Sequence, residues 1–191
     1  MKQSADRDRA GLIGVVLCGG QSSRMGRDKG LIERDGMVWA ARMGMKLAPF
    51  GLPVVYSIRA GQEEAYSAVL PEACFVTDVM GWPGPLDGLC SVHMRLPASD
   101  LLLLACDMQD LDEGTVGELI ATYRMEDDAE CYVYQDGDYA QPFCGIYRAQ
   151  GLKNAFADVG EDWSLQAVIR KMKTRRLGIR KGEAFENYNS M

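Results

Sequence analysis

One histidine, His93, occurs among 191 residues, so no zinc site built on histidine is available. Six cysteines stand at 18, 74, 90, 106, 131 and 144, and no two have CxxC spacing. Most lie among apolar neighbours and read as small buried hydrophobes. No apolar run approaches the length of a bilayer span; Leu101 to Cys106 is among the longest. The first ten residues, "MKQSADRDRA", lack the apolar centre of a secretory signal and read as a disordered polar tail. A basic surplus is missing too. Lys and Arg number 21 against 27 Asp and Glu, for a net charge of -6. That argues against nucleic acid as a partner, since such proteins carry a basic face. It leaves small anionic ligands open, because a site needs only local positive charge. The expectation is a cytoplasmic protein with no membrane partner, and one domain over residues 11–191.

What is present is an alternation of apolar strands and helices. Leu12 to Cys18 and Asp100 to Ala105 are continuous apolar runs, the mark of strands buried on both faces. Val54 to Ile58 and Phe75 to Asp78 read as further strands, with helices at Val38 to Leu47, Gln62 to Val69 and Leu86 to Leu96 between them. Asp35-Gly36 is a turn signal, and Asp112 caps a predicted helix running to about Arg124. Cys131 to Tyr134 and Phe143 to Tyr147 read as strands separated by a turn and a break at Gln141-Pro142. Helices at Leu152 to Ala157 and Ser164 to Met172 follow, then a short strand and a tail. The pattern predicts an α/β fold with a mostly parallel sheet covered on both faces. Ligands of such sheets bind beyond the carboxyl ends of the strands, so the loops at Cys18, Asp78 and Asp107 share one edge.

The first of these loops reads "LCGGQSSRMGRDKG", and two common spellings are absent from it. The P-loop GxxxxGK[ST] fails, because Arg27-Asp28 separates Gly26 from Lys29 and Gly30 stands where Ser or Thr would meet magnesium. GxGxxG fails because Gly19 and Gly20 are adjacent. The physics of anion binding survives. Glycines let backbone N–H groups approach a ligand, Arg24 offers a forked donor and Lys29 a point charge. Asp28 partly offsets them. On these residues alone the loop is either a phosphate cradle or a solvated surface loop.

The longer segment "LCGGQSSRMGRDKGLI" resembles the signature LAGGxSxRMGxDKxL of the molybdenum cofactor guanylyltransferase family, with Cys18 in place of Ala. The likeness continues through "VTDVMGWPGPLDGL", which places Asp78 before a Gly-Pro-Leu-x-Gly loop. "LLLLACDMQDL" resembles the strand-ending motif PCDxPxL and places Asp107. "AQPFCGIY" resembles a later strand entry containing Pro142, and "AFENYNSM" the closing N-x-N motif. The resemblance spans about residues 12 to 189. It implies a single-domain, Rossmann-like three-layer fold of the nucleotide-diphospho-sugar transferase kind. It also implies transfer of GMP from GTP to molybdenum-molybdopterin, with release of pyrophosphate.

Roles follow from the same resemblance. The backbones of Leu17, Cys18, Gly19 and Gly20 meet the nucleotide, and Arg24 and Lys29 hold its phosphates. Asp107 is the Mg2+ ligand; read without the motif, it is equally a helix cap or turn former. Asp78 contacts nucleotide or metal, or merely ends a strand. Ser57 belongs to the nucleotide set, although the family often has Asn there. Pro85 and Leu86 shape the acceptor side, with Asn187 and Asn189 near the metal or the pterin. His93 reads as a packed or surface residue, and "KMKTRR" as a solvated face. Implied partners are GTP, molybdenum-molybdopterin, other cofactor-biosynthesis proteins and molybdoenzymes. Ala105 and Gln109 replace both prolines of PCDxPxL, which predicts a less pre-organised Asp107 loop. The rivals are molybdopterin cytidylyl transfer, whose branch tends to read LAAGxSxRMG, transfer to another small phosphorylated acceptor, and a non-catalytic nucleotide-binding protein.

Overall fold

The computed structural model describes residues 11–19, 28–157, 160, 162–180, 182–185 and 188. The predicted tail at 1–10 lies outside the described residues. The central sheet has seven strands in the order β5-β4-β1-β6-β8-β7-β9. These are β1 (Leu12–Leu17), β4 (Val54–Ile58), β5 (Cys74–Thr77), β6 (Asp100–Ala105), β7 (Cys131–Asp136), β8 (Tyr139–Tyr147) and β9 (Thr174–Gly178). β1 is parallel to β4 and β6, β4 to β5, and β7 to β9; β8 alone runs against its neighbours β6 and β7. A separate hairpin pairs β2 (Glu33–Arg34) with β3 (Met37–Val38) around Asp35-Gly36, both with positive φ. That is the turn the Asp-Gly pair predicts.

The apolar runs are explained by two cores, one on each face. In β1, Val16 faces one core and Val15 and Leu17 the other. In β6, Leu102 and Leu104 face the first, Leu101 and Leu103 the second. Alternation places every second residue on the same face, so a strand covered on both sides has no polar phase. The first core is closed by α1 (Trp39–Met45), α2 (Glu63–Val69) and α4 (Glu113–Met125), through residues such as Met43, Tyr66 and Leu119. The second is closed by α3 (Pro85–Arg95), α5 (Ala149–Phe156) and α6 (Leu165–Lys171), through Leu89, Leu152 and Val168. Three layers result, as expected. The predicted cap holds: Asp112 accepts from the Thr115 amide at 2.9 Å.

One expectation is corrected. Gln141-Pro142 does not break the chain into two strands; β8 runs through it from Tyr139 to Tyr147. The ladder absorbs the proline with a register shift at Val133/Tyr134, and Cys144 takes φ 58°. A bulge is where a residue lacking an N–H is tolerated inside a sheet. The "KMKTRR" cations Lys173 and Arg175 pair with Asp128 and Glu126 at the exposed β9 edge. All six cysteines are free, and five are buried. No described helix is long and apolar enough to cross a membrane.

Candidate active site

The loops at the carboxyl ends of β1, β4, β5 and β6 enclose a cavity of about 1010 Å³. Leu17, Cys18, Gly19, Lys29, Ser57, Asp78, Pro85 and Asp107 all line it. Residues up to 90 positions apart are brought together because neighbouring parallel strands end at the same edge. Backbone bonds continue the sheet past its strands: Cys18 N–H donates to Ser57 O, Cys106 N–H to Leu17 O, and Asp78 N–H to Ile58 O. Asp78 is thus carried one residue, and Asp107 two, beyond a fixed ladder.

Lys29 Nζ lies 2.8 Å from Asp107 Oδ2, both side chains largely shielded from solvent. Lys29 starts a 3-10 turn (Lys29–Leu31) capped by Asp28, whose carboxylate accepts from the Gly30 amide. Asp28 also accepts from Tyr66 Oη at 2.7 Å and from Gln62 Nε2. Sequence alone makes Asp28 a charge that offsets the cations. The structure makes it the anchor of the turn that presents Lys29. A Cβ on Gly30 would come within 2.2 Å of Tyr66 Oη, so glycine is the residue that lets this anchor form.

Asp78 accepts from Ser57 Oγ at 2.8 Å. Burial pushes its carboxyl up to about 6; the Ser57 bond opposes that shift, nearby Asp87 adds to it and Arg59 opposes it. Ser57 is itself buried and spends its hydroxyl on Asp78, so it orients the carboxylate. A Cβ on Gly19 would fall 2.7 Å from Asp78 Oδ2 and 3.1 Å from Arg59 Cγ. The Cys106 thiol is pushed well up by its bond with Cys18 and by burial, which keeps it a neutral wall residue.

The loop bearing Asp107 lacks prolines yet is fixed by other means. Gln109, buried, donates from Nε2 to Cys106 O at 2.6 Å and to Trp39 O at 3.5 Å. Lys46 Nζ donates to the carbonyls of Gln109 and Leu111. The Tyr188 amide donates to Asp107 O at 3.2 Å, and Tyr188 Oη bonds Asp110. The expected loss of pre-organisation is corrected: a hydrogen-bond brace stands where the family has prolines. Gln109→Ala leaves two buried carbonyls without this donor. It is expected to lower the free energy of unfolding by about 1–3 kcal/mol, measured by urea denaturation, and to reduce turnover.

Leu86 is fully buried in the second core and is not a wall of the cavity, whereas Pro85 is. His93 is buried, 5.8 Å from the Phe156 ring, and burial lowers its pKa. Gly20, Arg24, Asn187 and Asn189 lie outside the described residues. Tyr188, between the two asparagines, does reach the Asp107 loop. Sequence reasoning missed Arg59 and Trp82 in the cavity wall. Arg59 sits one residue past β4, where the strand-end rule applied to every parallel strand finds it. Among the described residues no group of three or more His, Cys, Asp or Glu is placed to hold a metal.

A family model for the MobA-like NTP transferase domain matches residues 14–176. The chain belongs to this family. It is 33% identical over 138 residues to a probable molybdenum cofactor guanylyltransferase of Trichormus variabilis, covering 72% of this chain and 66% of that one. It is 31% identical over 149 residues to a molybdenum cofactor biosynthesis bifunctional protein of Synechocystis, covering 78% and 42%. The chain thus spans about two fifths to two thirds of the length of these curated relatives. In fold it matches molybdopterin-guanine dinucleotide biosynthesis protein A of Archaeoglobus fulgidus, with TM-score 0.76, 17% identity, and coverage of 93% and 92%. A Mycobacterium tuberculosis protein solved in complex with manganese matches with TM-score 0.61 at 17% identity, covering 88% of each chain.

Proposed function

We propose that this protein transfers GMP from GTP to molybdenum-molybdopterin, releasing pyrophosphate. The observation that carries the reading is the placement of Gly19 against Asp78, beside the Lys29–Asp107 pair, within a family whose curated relatives are guanylyltransferases. Guanine presents two adjacent N–H donors on one edge. An ionised Asp78, oriented by Ser57, accepts both, and the missing Cβ at Gly19 leaves that carboxylate in place. The backbones of Leu17, Cys18, Gly19 and Gly20 border the nucleotide.

The reaction is an in-line displacement at the α-phosphorus by the acceptor's terminal phosphate. That phosphate is already ionised, so no protein base or nucleophile is needed. The protein's task is positioning and charge neutralisation. Lys29 and Arg24 grip the phosphates. Asp107 is the proposed ligand of Mg2+, which supplies neutralisation of phosphate charge when bound. A lone carboxylate would suit this ion, which takes few protein ligands. Pro85 borders the acceptor, and Asn187 and Asn189 are assigned to the metal or pterin side. Free cysteines suit a reducing cytoplasm.

The test is a pyrophosphate-release assay with molybdenum-molybdopterin and each of GTP, CTP, ATP and UTP. GTP is expected to give the guanine dinucleotide; clear preference for CTP, or no product, overturns the reading. The pH dependence is a second check. The competent form of Asp78 is the carboxylate, present above about 6. KM for GTP is expected to fall as pH rises from 5 to 7 and then level off. In Asp78→Asn the part of this fall due to Asp78 is lost, and only the part due to the nucleotide's own phosphate titration, common to both proteins, remains.

A further inference from the structure

We propose that Trp82, backed by Trp163 and Phe156, is the platform on which the fused pterin ring of the acceptor stacks. The inference rests on the transfer reaction proposed above.

Trp82 lies in the cavity wall, on the loop between β5 and α3. Its ring is 4.7 Å from Trp163 and 6.4 Å from Phe156, centroid to centroid. Trp163 is 37% exposed. Phe156 ends α5 and Trp163 precedes α6, two of the helices that close the second core. The residues assigned to guanine, Gly19, Ser57 and Asp78, stand at the ends of β1, β4 and β5, and Asp78 heads the loop that carries Trp82. In-line attack needs the acceptor on the far side of the α-phosphorus from the departing pyrophosphate. Pro85, assigned above to the acceptor side, follows Trp82 by three residues and lines the same cavity.

The loop is built to hold its shape. The Asp87 carboxylate, buried at the start of α3, accepts from the amides of Met80 and Trp82 at 3.0 and 3.1 Å. Ser91 Oγ donates to Asp87 Oδ1 and accepts from the Val79 amide. Gly81 and Gly84 take positive φ, which turns the chain tightly on either side of Trp82. A rigid indole face at a cavity rim is the arrangement that stacks flat heterocycles at low entropic cost. The cavity, at about 1010 Å³, is at the top of the range usual for one small ligand, about 300–1,000 Å³.

The test uses the full chain and separates acceptor from nucleotide. Trp82→Ala is expected to raise KM for molybdopterin by roughly ten- to a hundredfold, as loss of an aromatic stack does, with KM for GTP unchanged. Trp82→Phe restores most of the affinity, and Trp163→Ala, which removes only the backing ring, has a smaller effect in the same direction. Thermal unfolding checks that each variant is folded. Independently of turnover, molybdopterin alone is expected to quench the wild-type tryptophan fluorescence, with a smaller quench in Trp82→Phe. An unchanged KM for molybdopterin in Trp82→Ala, or a quench produced by GTP and not by molybdopterin, overturns the platform. If the wild type forms no guanine dinucleotide, guanylyl transfer fails, and the quench titration then judges the platform by itself.

Discussion

Asp107→Asn is expected to lower kcat for pyrophosphate release by roughly a hundred- to a thousandfold, the scale of losing one preorganised electrostatic contact at a reacting centre. The substitution keeps the shape of the side chain and removes its charge. The brace around it is made by other atoms: Gln109 holds Cys106 O, Lys46 holds the next carbonyls, and Tyr188 holds the backbone of residue 107 itself. The loop is therefore expected to stay in place, and the thermal midpoint to change little compared with the loss of turnover. Raising the Mg2+ concentration should recover part of the rate if the defect is weaker metal retention. A variant with near-normal kcat at every Mg2+ concentration would remove Asp107 from the chemistry and leave it a partner of Lys29.

Gly19→Ala is the second large effect, and its origin is steric. The added carbon would meet Asp78 Oδ2 at 2.7 Å and Arg59 Cγ at 3.1 Å. Arg59 is a flexible chain and can yield. Asp78 cannot yield freely, because Ser57 and the Ile58 carbonyl hold its side chain and backbone. The carboxylate must turn away from the position assigned to the guanine edge. kcat/KM for GTP is expected to fall by roughly ten- to a hundredfold, the cost of one unmade buried polar contact. CTP, which presents no such pair of adjacent donors, is expected to lose much less, so the GTP-to-CTP preference narrows. Measuring both nucleotides in one competition assay decides it; an equal loss for the two would show a damaged loop and no role in base choice.

Much of this architecture was legible in the residues, for reasons that differ from element to element. β1 and β6 announced themselves because a strand buried on both faces needs no polar phase. The Asp112 cap and the Asp35-Gly36 turn were legible because the chemistry is local: side chain and backbone partners lie within three residues. Asp78 and Asp107 were placed by motif and by the rule that parallel strands end at one edge. What stayed hidden depends on partners distant in sequence. Tyr66, 38 positions from Asp28, turns that carboxylate from a free charge into an anchor. Gln109 looked like a lost proline until Trp39 and Cys106 met its amide. Pro142 looked like a strand break because nothing local says that the facing strand will accommodate a bulge. Trp82 and Trp163, 81 positions apart, become one surface only after α5 and α6 are packed.

The cavity wall takes residues from the ends of β1, β4, β5 and β6, four strands held side by side only by backbone bonds and shared cores. A nucleotide seated across those ends clasps half of the sheet at once. Its binding energy then opposes unfolding of the whole domain, since a ligand that favours the native state stabilises it by mass action. The abundance of the protein in a cell would follow the supply of its substrate: copies starved of nucleotide open more often and are cleared sooner by proteases.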